Sequence, residues 1–231
     1  MTMRHLLAGS LYALLLGPVA AAAQTPETLF NLVGLNAQAE REVPNDLLTA
    51  TLAAEAEGAN PAQLSDSVNR LMQRALATAL TYKSVRAQSA GYQTLPIYDK
   101  ERVARWRVRQ ELRLESADFA AATELIGKLQ ADLMVAGLNL SVSGDTRRKA
   151  ENSLIAEALA AFDERARVVR DAMKAKGYRV KDLQVSSSGA APRPVFAMQS
   201  RAVASVSLVQ PAVEPGSSRI LITVSGNIQL Q

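Results

Sequence analysis

Long stretches of the chain alternate between apolar and polar residues, and this two-residue period is the feature that most constrains the fold. The clearest case is residues 102–115, RVARWRVRQELRLE, in which Trp106 and Val108 alternate with arginines. Successive side chains of a β-strand point to opposite faces of a sheet, so alternation predicts a strand with one buried face and one wet face. The same pattern recurs in residues 29–42, in the stretch MVAGLNLSVSGD and in the stretch RILITVSGNIQL. The sequence therefore predicts antiparallel strands.

Two of the alternating stretches flank a turn near the start of the chain. Residues 29–42 and residues 47–58, LLTATLAAEAEG, are separated by a short segment that contains Pro44, Asn45 and Asp46. Proline fixes its own φ angle, and asparagine and aspartate tolerate turn geometry. We therefore expect these two stretches to pair as an antiparallel hairpin.

Three other segments repeat their apolar residues with the 3.6-residue period of a helix. The first helix is predicted to begin at Asn60-Pro61, the second at Ser116 or Asp118, and the third to span about 146–176 with Gly177 as its C′ residue. The fold class is therefore α+β, with antiparallel strands packed against three main helices. The predicted apolar faces are Leu64, Val68, Leu71, Met72, Ala75 and Ala79; Phe119, Ala122, Ile126 and Leu129; and Ile155, Leu159, Phe162, Ala166, Val169 and Met173.

The predicted strand 102–115 carries the candidate interaction surface. Its polar face holds Arg105, Arg107, Arg109 and Arg113, and Trp106 is predicted to pack into the core on the other face. One interpretation is a solvated face on which arginines pair with glutamates. The other is a docking surface for a second subunit or for an anionic lipid or polyanion. No aromatic residues interleave with these arginines, and the net charge is only +4, so nucleic acid is not an expected partner.

The first 23 residues have the pattern of a cleaved signal peptide. A short basic start precedes the apolar run from Leu6 to Leu16, Gly17-Pro18 breaks that run, and small residues at Ala21 and Ala23 suit cleavage before Gln24. The run is too short for a membrane anchor, which needs roughly 20 residues. We therefore expect residues 24–231 to form the folded domain, located in the periplasm or secreted, with outer-membrane association as an option.

The residue types that are missing exclude most enzymatic chemistry. The chain has no cysteine, and its single histidine, His5, lies in the predicted signal peptide. Disulfides, Ser-His-Asp and Cys-His mechanisms, and histidine- or cysteine-ligated metals are therefore excluded, and no cofactor is expected. A hydrolase based on paired carboxylates is the remaining enzymatic alternative, with Asp145, Glu151 and Asp182 as candidates, although helix capping and surface charge also explain these residues.

A proline-rich segment at about 189–218 is predicted to be irregular, with one short strand near Val203 to Val209. It contains four of the nine prolines, yet the stretch RPVFAMQSRAVASVSLV within it is apolar for a loop. It either covers a neighbouring molecule or folds over the protein's own core. Together with the many amphipathic strands, it leads us to expect a homo-oligomer or a protein that binds an envelope partner or the membrane surface.

Four stretches in order resemble the SIMPL-domain family of exported bacterial proteins, which includes periplasmic and outer-membrane-associated immunogenic proteins. They are VGLNAQAEREVPNDLLTATLAAEAEG, QTLPIYD followed by ADFAAATELIGKL, AEALAAFDERARVVRDAMKAKGYRVKDLQVSSSG, and VEPGSSRILITVSGNIQL. The resemblance implies an α+β fold, export, and a link to oxidative-stress tolerance in some members. It brings no catalytic motif. The sequence as a whole therefore points to an exported, non-enzymatic envelope protein that self-assembles or binds a partner.

Overall fold

A computed structural model describes residues 30–189 and 214–231, which form seven strands and three helices. The residues described from Asn31 onward belong to one compact unit. The helices are α1 Pro61–Ala79, α2 Phe119–Leu129 and α3 Gly144–Ala172. The strands are β1 Leu32–Pro44, β2 Leu47–Gly58, β3 Arg86–Asp99, β4 Arg102–Ser116, β5 Met134–Ser141, β6 Tyr178–Gly189 and β7 Ser217–Leu230. The α+β class is confirmed, with antiparallel sheets and three helices.

The four-stranded sheet has the order β3-β4-β2-β5, and every neighbouring pair in it is antiparallel. Helices α1 and α2 pack on one of its faces and form a core with residues of β2 and β4. The fully buried members of this core include Leu48, Leu52, Val108, Leu112 and Leu125. Leu48, Leu52, Val108 and Leu112 are apolar positions of the alternating stretches, so the two-residue period correctly predicted which side faces the helices, and Leu125 is a residue of α2.

The three-stranded sheet has the order β1-β7-β6 and is also antiparallel. Helix α3 packs on one face of it, mainly over β1 and β7, and a second core forms there. Ile220, Ile222, Val224 and Ile228 of β7 are fully buried, as their alternation predicts. The described residues therefore form two apolar cores, one between the four-stranded sheet and helices α1 and α2, and one between the three-stranded sheet and α3.

The sequence signals at helix ends were mostly correct. The Asn60 side chain caps α1 and Pro61 is its first residue, as expected. Asp118, the second of the two predicted candidates, caps α2. Helix α3 instead begins at Gly144 after the N-cap Ser143 and ends at Ala172. The predicted C′ role of Gly177 is wrong, because Lys174 adopts the left-handed conformation, with φ 54°, directly after the C-cap Met173.

The predicted apolar face of α3 is only partly correct, since Ile155 and Val169 pack against the core as expected but other members of the face do not. Leu154 and Ala158 are fully buried, whereas Leu159 is 37% exposed and Met173 is 66% exposed. The error has a physical cause, since an alanine-rich helix offers more than one apolar stripe and only contact with a sheet selects between them. Phe162 and Ala166 belong to both stripes and are buried as expected.

The predicted hairpin between residues 29–42 and 47–58 is wrong. Strand β1 pairs with β7, and β2 pairs with β4 and β5, so the two strands belong to different sheets. The turn residues lie where the chain crosses from the three-stranded to the four-stranded sheet, and they make contacts at this crossing instead of closing a hairpin. The Asn45 side chain donates to the Pro215 carbonyl oxygen at 2.8 Å and accepts from Ser218 Oγ at 2.6 Å. These contacts tie the crossing to the start of β7.

Asp46 ties the same crossing to the start of α3. Its carboxylate accepts hydrogen bonds from the Ser143 backbone N–H, from Ser143 Oγ at 2.8 Å and from Thr146 Oγ1. Its own backbone N–H donates to the Ser141 carbonyl oxygen at 3.1 Å. Adjacent residues Asn45 and Asp46, named here the crossover pair, therefore join elements of both sheets.

Two predicted features lie largely outside the described residues. They are the signal peptide over residues 1–23 and, apart from its ends, the irregular segment 189–218. Of that segment, Gly189 ends β6 and Ser217 begins β7, while Glu214 to Gly216 have no regular structure. Among the residues that are described, no helix is both long and apolar enough to cross a membrane.

Candidate interaction surface

Strands β3 and β4 extend beyond the rest of their sheet. The last residue of β2, Gly58, pairs with Trp106, and Trp106 also pairs with Pro96 of β3. Past this point β3 and β4 continue to pair with each other up to the turn at Lys100, which has a φ of 55°. Residues 96–106, named here the hairpin arm, therefore form a two-stranded projection.

The hairpin arm and the residues leading into it carry exposed apolar side chains. Leu95 is 50% exposed, Tyr98 61% and Val103 43%. Tyr92, further along β3, is 46% exposed. The prediction that Trp106 packs into the core is only partly correct, because Trp106 faces the helix side of the sheet but is half-buried. The arm therefore presents large apolar groups to solvent instead of burying them.

The four predicted interaction arginines lie in a row on the face opposite α1 and α2. Carboxylates of β2 and β4 share this face, and every one of the four arginines has a carboxylate oxygen within 3.4 Å. We name this set the arginine–glutamate ladder. Its contacts are Arg105 with Glu57 at 3.4 Å, Arg107 with Glu55 at 3.2 Å and Glu57 at 2.7 Å, Arg109 with Glu111 at 3.0 Å and Glu55 at 3.2 Å, and Arg113 with Glu115 at 2.8 Å.

The ladder neutralises its own charge, since it contains four arginines and four glutamates. Hydrogen bonds with Glu57 raise the pKa of Arg107, and hydrogen bonds with Glu111 and Glu55 raise the pKa of Arg109. Because the pairs are at least partly exposed, solvent screens them and they contribute little to the stability of the fold. The row that looks strongly basic in the sequence therefore presents a mixed, nearly balanced surface.

The three candidate carboxylates do not form one site. Asp145 is an exposed residue of the first turn of α3 that pairs with Arg148 on the same helix. Glu151 accepts a hydrogen bond from Ser187 on the helix side of the three-stranded sheet. Asp182 pairs in register with Asn227 and accepts its side-chain amide at 2.9 Å on the opposite face. Within the described chain, no group of three or more histidine, cysteine, aspartate or glutamate residues could hold a metal ion.

A shallow polar cleft of about 590 Å3 lies on the three-stranded sheet, and the sequence did not predict it. Asn227 donates to Asp182 within it, and Arg165 reaches around the β1 edge to the Asn36 carbonyl oxygen and, at 3.2 Å, to its side-chain oxygen. Its charged groups are therefore already paired, and its other polar groups are amides and a hydroxyl. Its polar lining residues are Asn36, Arg165, Asp182, Gln184, Ser225 and Asn227.

The exposure of the hairpin arm was not predicted from the sequence either. The alternation showed which side of β4 faces the helices, but it contains no information on where the neighbouring strand β2 ends. A usable signal was nevertheless present in β3, since residues 87–98, AQSAGYQTLPIY, contain no charge. An uncharged and exposed edge strand is unusual in proteins that remain monomeric in solution.

Comparison with known families gives one match. The model of the SIMPL family, described as "Protein of unknown function (DUF541)", matches residues 33–228. These limits include all three helices, β2 to β6, and all but the ends of β1 and β7. A search of the curated proteins finds no match.

Proposed function

Because the chain belongs to the SIMPL family, whose function is unknown, we propose that it is an exported, non-enzymatic protein of the cell envelope that acts by assembling with further copies of itself. The observation that carries this proposal is the apolar surface of the hairpin arm and the adjoining part of β3. Large apolar groups that stay exposed beside one another mark interaction surfaces more often than isolated ones do.

The chemistry of the chain supports a binding role over an enzymatic one. Beyond the predicted signal peptide there is no histidine or cysteine, so proton transfer near neutral pH would need a carboxylate or lysine with a strongly shifted pKa. The candidate carboxylates Asp145, Glu151 and Asp182 are separated and paired with other groups. The link to oxidative-stress tolerance that the family resemblance implies would then act through assembly or partner binding.

The self-assembly proposal is tested by the mass of the mature protein. Multi-angle light scattering on residues 24–231 at micromolar concentration should give a multiple of the monomer mass. A double change, Tyr98→Ser with Val103→Ser, should lower that mass because it removes apolar groups from the hairpin arm. The matched control is Val168→Ser on α3, a residue 63% exposed and far along the chain from the arm, which should leave the mass unchanged. A clean monomer for the wild type would contradict the proposal.

Export is tested separately. The sequence pattern of residues 1–23 predicts a mature N-terminus at or within two residues of Gln24. N-terminal sequencing of protein from a periplasmic extract should find it there. Recovery of an intact Met1 would contradict export.

Binding to an anionic lipid or polyanion through the arginines is the second candidate function. The ladder argues against a strong field, since Arg105, Arg107, Arg109 and Arg113 all have carboxylate partners. We therefore expect sedimentation with phosphatidylglycerol vesicles to be weak, and to be little changed by Arg105→Gln with Arg107→Gln. Strong binding that falls with salt and is lost in this double variant would instead establish the second function.

A further inference from the structure

The four-stranded sheet distributes its charges in an unusual way. Its two interior strands, β4 and β2, carry the arginine–glutamate ladder. Its two edge strands carry almost none, because β3 is charged only at its end residues Arg86 and Asp99, and β5 has no charged residue. Soluble proteins usually place charges on edge strands, where they prevent pairing with another chain. This sheet therefore lacks protection by charge at its two edge strands.

The three-stranded sheet of the same chain has that protection. Its edge strand β1 contains Glu40, Arg41 and Glu42, and Arg165 donates a hydrogen bond to an edge carbonyl oxygen of β1, that of Asn36. Its other edge strand, β6, contains three charged residues, Arg179, Lys181 and Asp182. The contrast within one molecule shows that the uncharged edges are particular to the four-stranded sheet.

Of the two uncharged edges, β3 is the better suited to pair with another strand. It has 14 residues against 8 in β5, and Tyr92, Leu95 and Tyr98 on it are all at least 46% exposed. Since β3 lies at the end of the sheet order, the backbone groups on its outer side have no ladder partner in that sheet. Strand addition supplies such partners, and it buries the exposed side chains of the edge at the same time.

The charges at the ends of β3 select the partner strand. An antiparallel pair of identical strands places the start of each beside the end of the other. Arg86 of one copy then lies near Asp99 of the second copy, and this opposite-charge contact occurs twice across a two-fold axis. A partner with another sequence has no such requirement, so β3 is complementary to itself.

We infer that β3 pairs antiparallel with β3 of a second copy, and that the two four-stranded sheets join into one eight-stranded sheet. This inference rests on the proposed self-assembly and names the surface that carries it. A bulge between Ser89 and Tyr92 interrupts the β3 edge on one side, and Pro96, which has no N–H, interrupts it on the other. The stretch between them, Tyr92 to Leu95, lies at the centre of the pairing, next to the two-fold axis.

A charge-swap experiment at Gln93 tests the pairing. Gln93 is exposed and pairs with Arg109 in the ladder register, so its side chain lies on the solvent face near the proposed axis. In a pair of Gln93→Lys copies, or in a pair of Gln93→Glu copies, two like charges face each other across the axis and repel. Light scattering at low salt should give half the wild-type mass for each variant alone. An equimolar mixture of the two should recover the wild-type mass, because opposite charges then face each other.

Asn139→Lys on β5 is the matched control. Asn139 is exposed, lies on the other uncharged edge and shares the solvent face with Gln93. The mass of the Asn139→Lys variant should equal that of the wild type. Circular dichroism should show that all three variants are folded. Recovery in the mixture is specific, since misfolded variants would not rescue each other.

The outcomes separate this inference from the proposed function. A wild-type monomer overturns both. A wild-type assembly that keeps its mass in both Gln93 variants overturns the β3 pairing and leaves self-assembly standing. Loss of mass in Asn139→Lys, or failure of the mixture to recover, shows that copies associate through β5 or through unlike edges, and overturns the two-fold pairing.

Discussion

At the scale of single residues, the crossover pair Asn45 and Asp46 connects parts of the chain that are far apart in sequence. Partial burial raises the pKa of Asp46, but hydrogen bonds from Thr146 and Ser143 lower it by more, so the pKa lies below its ordinary value. An aspartate of this kind stabilises the fold above its unfolded-state pKa, about 3.9, and that contribution is lost as the pH falls through the lowered pKa.

Asp46→Asn should therefore destabilise the protein by about 1–3 kcal/mol at pH 7, because it removes the charge that accepts three hydrogen bonds. Urea unfolding at pH 7 and at about pH 3 measures this. The difference from wild type should shrink at the lower pH, where the wild-type carboxylate begins to take up a proton. Asp145→Asn, at an exposed position of α3, should change the free energy of unfolding by no more than about 0.5 kcal/mol. Equal losses in the two variants would contradict this role of Asp46.

The close packing of backbone against Gly226 leads to a second prediction at this scale. Gly226 pairs with Leu183, just beyond the bulge in β6 between Val180 and Asp182, and the chains come so close that a Cβ on Gly226 would overlap the backbone oxygen of Asp182. Gly226→Ala should cost about 2–3 kcal/mol, because backbone and not a flexible side chain must move. Gly137→Ala is the control, since its Cβ meets nothing within 4 Å. Thermal melts of both variants measure the difference, and similar melting temperatures would show that the bulge yields easily.

At the scale of secondary-structure elements, most local signals were read correctly, with Gly177 as the C′ residue of α3 an exception, and long-range ones were not. The Asn60-Pro61 start of α1 and the alternation in β4 depend on neighbouring residues, so the sequence shows them directly. The partner of β1 is β7, which lies nearly the whole domain away, and no local pattern identifies it. The default assumption that consecutive strands pair gave the wrong hairpin.

The candidate surface follows the same division. That Arg105, Arg107, Arg109 and Arg113 share one face was predictable from the period of the strand. Pairing with glutamates was one interpretation of the sequence, but which carboxylates of β2 take part was not predictable, because it depends on the register between β2 and β4. The exposure of the hairpin arm depends on the length of β2 and was equally inaccessible from the sequence of β4 alone.

The hairpin arm gives the prediction that belongs to this scale. Trp106→Ala should cost about 1–2 kcal/mol, below the 3–5 kcal/mol of a fully buried tryptophan, because Trp106 sits where the arm leaves the sheet and is only half-buried. Leu112→Ala, on the same face of β4 but fully buried, should cost about 2–5 kcal/mol. Chemical denaturation measures both. A larger loss for Trp106 than for Leu112 would mean that the arm is covered by other parts of the protein.

At the scale of the whole molecule, two cores share one chain that crosses between them at the crossover pair. We expect the two cores to unfold together, because Asn45 and Asp46 bind elements of both layers. Trp106, the only tryptophan, belongs to the four-stranded sheet and reports on that layer alone.

Leu154→Ala tests this coupling from the other layer. Leu154 is fully buried in α3, and its truncation should destabilise the three-stranded sheet by about 2–5 kcal/mol. If the layers are coupled, the urea midpoint of Trp106 fluorescence should fall to match that of far-ultraviolet circular dichroism. Val168→Ala, at a position 63% exposed on the same helix, should move neither midpoint. A Trp106 midpoint that stays at its wild-type value in Leu154→Ala would show two independently unfolding layers.

Because β7 is the central strand of the three-stranded sheet, that sheet can form only after β7 has been synthesised. Of the described strands β1 comes first along the chain and β7 last, yet β1 and β6 each pair only with β7 in that sheet. Until β7 has been synthesised, β1 lacks the strand with which it pairs in that sheet. Folding of that layer therefore follows the synthesis of β7, whereas the four-stranded sheet contains all of its own strands before β7 is made.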